Sequence, residues 1–156
     1  MAEVEIVEVK PQLVCGIRKQ GPYSSIKDLL MMLYGHLGEK GAEFAGAPMY
    51  ICHETSSEEA KKADAEGNAD VEVVAPVTAE VEGTEEITCY EVPGGTMAKI
   101  VHTGPYEKCE PTYAQLYKWL EENGKHISGP TREVYLNSPE EVSEEELLTE
   151  IYAPIA

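Results

Sequence analysis

Positive charge is scarce in this chain of 156 residues, with 12 Lys and Arg against 29 Asp and Glu and a formal charge of -17. Such a surface repels the phosphate backbone that supplies most nucleic-acid affinity, so autonomous DNA binding is excluded. Long apolar runs are missing as well. No stretch approaches the roughly 18 residues of a membrane-spanning helix, and the opening MAEVEIVEVKPQLV has no basic region leading into an apolar run. A cytoplasmic protein is expected. Cys15, Cys52, Cys89 and Cys109 form no CxxC pair, and without a signal peptide a disulfide framework has no support, so reduced thiols are expected. The histidines, His36, His53, His102 and His126, show neither HxxxH nor HxH spacing. The Cys52-His53 pair does not help, because strand neighbours point to opposite faces. No metal and no cofactor is expected. What remains is 42% hydrophobic and 26% charged, the balance of a globular chain. Its length suits one domain, 1–156.

The chain repeats itself. Shifted by 83 residues, 4–52 aligns without a gap to 87–135 with twelve identities, against about three expected from average residue frequencies. The matches include Ile17 with Ile100, Leu33 with Leu116, Tyr34 with Tyr117, and the whole tripeptide Gly21-Pro22-Tyr23 with Gly104-Pro105-Tyr106. A shift of 78 then aligns Val71–Val77 with Thr149–Ile155. We read repeat one as 4–77, an acidic linker as 78–86 and repeat two as 87–156.

Within each repeat the pattern predicts strand, helix, strand, strand. Val-rich and Ile-rich segments open each copy, interrupted at Pro11 and at Pro93-Gly94-Gly95. Gly-Pro-Tyr is a turn and helix-start signal, because glycine permits an unusual backbone and proline presets a helical φ. Tyr113, Leu116, Tyr117 and Leu120 fall at helical spacing, as do Ile26, Leu30, Leu33 and Leu37, and Gly41 or Gly124 ends each helix. Two strands close each copy, Pro48–His53 and Val71–Val77 in one, Arg132–Leu136 and Thr149–Ile155 in the other. The expected fold is α+β, with duplicated units related by a pseudo-twofold. An antiparallel sheet would carry its helices on one face and a ligand groove at the seam.

Strand alternation then assigns faces. Ile151, Val134, Leu136, Met49, Ile51 and Val73 are placed toward the helices. The opposite face collects Tyr50, Tyr135, Tyr152, Glu72, Glu133 and Glu150. Rings with carboxylates among them attract flat apolar molecules and organic cations, and a carboxylate there can act as a general base. Trp119, one residue off the apolar helix stripe, either edges into this groove or caps the sheet. Tyr34 and Tyr117 are read as core, Tyr23 and Tyr106 as turn-holding rings, and His102 as structural.

In repeat two, Val92-Pro93-Gly94-Gly95, His102-Thr103-Gly104-Pro105-Tyr106 and Glu150-Ile151-Tyr152-Ala153-Pro154 occur in the order and spacing of a known family. The chain resembles the GyrI-like, or AraC-type effector-binding, small-molecule-binding domain over nearly its whole length. That resemblance implies a pocket for lipophilic, often cationic compounds with a central acid. It matches Glu150 to the acid, with Tyr152, Tyr135 and Tyr50 as walls and Glu133, Glu72 and Trp119 as further lining. Relatives that regulate transcription carry a helix-turn-helix module, for which these 156 residues leave no room, so a stand-alone binding or sensing protein is expected. Two alternatives follow from the same resemblance. One is a hydrolase of strained, cyclopropane-type genotoxins with Glu150 as general base. The other is a protein-interaction module, such as a modulator of gyrase or of a regulator. Segments 54–86 and 137–156 carry -15 of the total charge and the rest only -2, so the acidity reads as solvation of loops and tail and says little about the ligand.

Overall fold

The computed structural model describes residues 3–54, 57–137 and 140–155, apart from the side chains of Ser57 and Glu107. In chain order the strands and helices are β1 (Glu5–Val9), β2 (Gln12–Gly21), α1 (Ile26–Glu39), β3 (Met49–Cys52), α2 (Ser57–Glu66), β4 (Ala69–Pro76), β5 (Thr88–Val92), β6 (Gly95–Thr103), α3 (Glu110–Glu122), β7 (Thr131–Tyr135) and β8 (Leu148–Pro154). The architecture is α+β, as the hydrophobic pattern requires.

Two compact units divide the chain. The first, Pro11–Pro93, is an antiparallel sheet in the order β3-β4-β2-β5, with α1 packed on β4 and β2. The second joins the segment up to Lys10 with the chain from Gly94 onward, in the antiparallel order β1-β6-β8-β7 with α3 on β6. The second unit runs strand-helix-strand-strand in β6, α3, β7 and β8, the first has α2 inserted before its last strand of that order, and several registers correspond. Ile17 lies opposite Val73 as Ile100 lies opposite Ile151, and the single bridge Phe44 to Val77 matches Ile127 to Ile155. The opening strands are exchanged, however. β1 is separated from β2 by only Lys10 and Pro11 yet pairs with β6, while β5 precedes β6 and pairs with β2. Proline, which cannot donate to a ladder, sits at both departures, as Pro11 and Pro93.

Both main helices follow a short 3-10 turn that starts at the tyrosine of Gly-Pro-Tyr. Both end in a left-handed glycine, Gly41 at φ 69° and Gly124 at φ 64°. Beyond those glycines the Ala42 and Lys125 amides donate back to the Leu37 and Leu120 carbonyls at 3.0 and 2.8 Å, closing the last turn. Under α3, Leu116 and Leu120 pack with Ala98, Ile100, Ile151 and Ala153, all at most 3% exposed. Each buried leucine there contributes about 1.5–3 kcal/mol.

Three expectations are corrected. The segment after β3, read as a solvated loop, contains α2, whose first turn carries Glu58 and Glu59 where the helix dipole favours acids. Cys15 and Cys89, expected as reduced thiols, are joined in a disulfide, because the strand exchange sets them directly opposite each other with Cα atoms 4.1 Å apart; Cys52 and Cys109 are thiols outside that bond. The faces of β3 and β7 are also inverted. Directly paired residues share a face, and Tyr50 pairs with Val73 and Glu133 with Ile151, so Tyr50, Glu133 and Tyr135 lie on the face assigned to Val73 and Ile151. Met49, Ile51 and Val134 lie on the other. A one-residue error in phase turns every side chain of a strand over.

Candidate functional site

Glu133 owes its surroundings to that phase. Its partner Ile151 lies beneath α3, so the Glu133 side chain rises toward the same helix. There the Tyr113 hydroxyl of α3 donates to Oε2, and the Tyr135 hydroxyl donates to Oε1 at 3.1 Å. The Tyr106 ring packs edge-on against Tyr135, with centroids 5.3 Å apart, and Tyr113 lies 6.0 Å from Tyr117. Burial pushes the Glu133 carboxyl above the usual carboxylate range; the two tyrosine hydrogen bonds and nearby His102 pull it back without cancelling the effect. Burial and the Glu133 charge together hold the Tyr135 hydroxyl well above its ordinary value. Although its carboxyl is enclosed, Glu133 as a residue keeps some accessible surface.

Two neighbours complete this face. His102 is 5% exposed; its Nε2 donates to the Pro105 carbonyl at 2.9 Å, and its Nδ1 lies 2.8 Å from the Thr112 hydroxyl. The ring is thereby fixed on both sides, the structural role expected of it. Thr149, in register with both His102 and Tyr135, buries a hydroxyl that has no hydrogen-bond partner among the described residues. Val71 holds the corresponding position in the first unit.

The other predicted residues fall elsewhere. On the opposite face of the second unit, Glu150 meets Lys99 Nζ at 2.6 Å and accepts from the Tyr152 hydroxyl at 3.1 Å. That hydrogen bond raises the Lys99 pKa, keeping the ammonium charged beside the carboxylate. In the first unit Glu72, at the position corresponding to Glu150, lies 2.6 Å from His53 Nε2 and accepts from the Tyr90 hydroxyl at 2.5 Å. Tyr50 packs edge-on to Tyr23, whose hydroxyl donates to Glu54 at 2.5 Å. Trp119 packs, partly buried, against the leucine cluster under α3. The single face of six rings and acids expected from alternation is therefore two faces, and only Glu133 and Tyr135 of that set meet on the α3 side of the second unit. Tyr113 and Tyr106 join them and were read as helix stripe and turn. Their spacing from Glu133 in sequence carries no signal; only the register of β7 does. An open cleft of about 900 Å³ in the second unit is lined by Glu5, Lys99, His102, Thr112 and Gln115 among others, and its lining does not include Glu133.

The family model that matches this fold defines a class, the small-molecule-binding domains. The chain belongs to the GyrI-like family: the GyrI-like small molecule binding domain matches residues 2–156. Among solved structures it is similar to the C-terminal domain of EcmrR, with 22% identity and a TM-score of 0.88 over 100% of this chain and 98% of that one. In a complex of EcmrR with DNA the likeness is again 22% identical, with a TM-score of 0.86 over 99% of this chain, and the chain spans 57% of the EcmrR chain. A hydrolase from Listeria innocua encoded by lin2189 is 14% identical with a TM-score of 0.68, covering 99% of this chain and 92% of that one. SAV2435, solved bound to tetraphenylphosphonium, is 11% identical with a TM-score of 0.63, covering 99% and 94%. At these identities the likeness shows the fold. No curated protein sequence matches the chain.

Proposed function

We propose that this protein captures lipophilic organic cations, with the Glu133 carboxylate facing the positive charge and Tyr106, Tyr113 and Tyr135 providing the aromatic walls. One observation carries the reading. Of the three predicted acids, Glu150 has Lys99 and Glu72 has His53, whereas Glu133 forms no ion pair among the described residues. A buried carboxylate without a cation is costly, and a cationic ligand would supply what is missing while the ring faces attract it. The tetraphenylphosphonium held by SAV2435 has this chemistry.

Isothermal titration with tetraphenylphosphonium tests it. Wild type is expected to bind, Glu133→Gln to bind at least about tenfold more weakly, since about 1.4 kcal/mol is tenfold, and Glu150→Gln to match wild type. Absence of binding, or a loss confined to Glu150→Gln, overturns the assignment.

The raised pKa of Glu133 favours a second reading, because a carboxylate with a raised pKa is a stronger base. Acting on water, it would hydrolyse a strained electrophile held between the tyrosines. Formation of a hydrated product from a cyclopropane-bearing alkylator, abolished in Glu133→Gln, would establish turnover; an unchanged substrate leaves capture alone.

A further inference from the structure

On α1 the residues Lys27, Met31, Gly35 and Glu39 recur every four positions and form one ridge along the helix. All four are exposed, Met31 at 65%, and Met32 beside them at 45%. A Cβ added at Gly35 or Gly38 would meet no atom within 4 Å. Nothing inside the unit therefore requires glycine at either place, and glycine is a poor helix former. The corresponding ridge of α3 is Glu110, Ala114, Lys118 and Glu122, in which Lys118 and Glu122 pair with each other at 4.0 Å. That is an ordinary solvated row. The α1 row instead has a cation at one end, an anion at the other, and a methionine and an open glycine between them. It is also balanced in charge on a chain of net charge -17.

Read backwards, the row complements itself. We propose that two copies of this chain associate through α1 in an antiparallel pair, about a twofold axis that crosses the exposed ridge midway between Met31 and Gly35. Lys27 of each copy then faces Glu39 of the other, and each Met31 enters the notch left by the other copy's Gly35. The interface is isologous, the usual form for a homodimer. Glycine lets the two axes approach toward the short end of the 8–10 Å range usual for packed helices, and methionine fills the irregular space between them. Charge complementarity selects a second copy as occupant, because the same two residues supply both members of both ion pairs.

Sedimentation velocity over a concentration series reads the association in the full chain. Wild type is expected to pass from monomer to dimer with rising concentration. Lys27→Glu sets two carboxylates face to face and Glu39→Lys two ammonium groups, so each is expected to raise the dimer Kd by about tenfold or more. The double swap rebuilds both pairs in reverse and is expected to return the Kd to near the wild-type value, which a general effect on folding would not do. Gly35→Leu, placed in open space, fills the notch and is expected to yield a folded monomer with an unchanged circular dichroism spectrum. A wild-type monomer at every concentration overturns the proposal, including one that instead takes up a different protein on α1. So does a dimer that ignores the single charge swaps or is not restored by the double one.

Discussion

Tyr50 and Glu133 occupy the same place in their two units: Tyr50 lies opposite Val73 across β3 and β4, as Glu133 lies opposite Ile151 across β7 and β8. One unit puts a ring where the other puts a carboxyl. The difference extends to their surroundings, since Tyr50 leans on a Tyr23 already committed to Glu54, while Glu133 gathers hydroxyls from Tyr113 and Tyr135. On the proposed reading, the cation is held in the second unit, at Glu133. Tetraphenylphosphonium is expected to bind with a stoichiometry of one per chain, and Tyr50→Phe to leave the Kd within about twofold, a change below 0.5 kcal/mol. Calorimetry reads both numbers, and two equal sites would break the assignment.

The raised pKa of Glu133 fixes the direction of two pH effects. Cation binding needs the carboxylate, so affinity is expected to rise with pH through a midpoint above the ordinary glutamate value of about 4.3 and then level off. Stability without ligand runs the other way. A group whose folded pKa is raised contributes fully below the unfolded pKa, and its contribution is lost as pH climbs through the folded pKa. Urea titrations are therefore expected to show wild type losing stability relative to Glu133→Gln from about pH 4.3 upward, with no further divergence once Glu133 is ionised. The protein binds best where the empty site is least favoured, and a parallel pair of curves would refute this.

Much of this could be read in the sequence, and the remainder fails for definable reasons. Matching tripeptides and helix-ending glycines located both main helices, and the two sequence shifts matched Ile17 to Ile100 and Val73 to Ile151, residues that lie in corresponding register in their units. The phase of β7 was lost because alternation in Thr131–Tyr135 offers an apolar Val134 that looks core-like, while the residue that does face α3 is Glu133. Hydrophobicity points the wrong way wherever a polar side chain is the one turned inward. Lys99 and the Cys15–Cys89 bond were invisible for another reason, since both depend on which strands are neighbours. Pro11 and Pro93 mark where the strands depart, but nothing in local composition says which partner each strand takes.

Lys99 and Glu150 give the clearest test of the opposite face. Their side chains are 23% and 16% exposed and meet at 2.6 Å, so Lys99→Met strands a largely buried carboxylate. Removing one partner of a fully buried pair costs about 3–5 kcal/mol, and the residual exposure lowers the expected loss to about 2 kcal/mol. Adding Glu150→Gln is expected to recover at least half of it. Chemical denaturation of the four variants closes the cycle, and additive losses would show that the two groups are not coupled.

The Cys15–Cys89 bond closes a long loop, with 74 residues of sequence separation. Constraining an unfolded chain over that length stabilises the folded state by up to about 4 kcal/mol. A reductant is therefore expected to lower the melting temperature of wild type and leave that of a Cys15→Ala/Cys89→Ala variant unmoved. Thiol titration of the denatured, unreduced chain is expected to find two reactive thiols, those of Cys52 and Cys109; four in protein purified without reductant would contradict it.

Gly16 is required by what crosses it. A Cβ there would overlap the Tyr90 hydroxyl and come within 2.8 Å of Val74 Cγ1 and 2.9 Å of the Val73 carbonyl oxygen. Tyr90 lies over the strand because its hydroxyl donates to Glu72, so the glycine and the carboxylate are linked through one ring. Gly16→Ala is expected to cost about 1–3 kcal/mol as overpacking of a site with no slack. Tyr90→Phe alone removes a hydrogen bond to a buried carboxylate, at a cost of about 1.5–3 kcal/mol. The double variant is expected to cost less than the two losses summed, because the nearest atom to the new methyl is then gone. The Val73 carbonyl is backbone and cannot yield, so recovery is partial; strict additivity in urea denaturation would show that Tyr90 is not the obstacle, and full recovery that the Val73 carbonyl is not one.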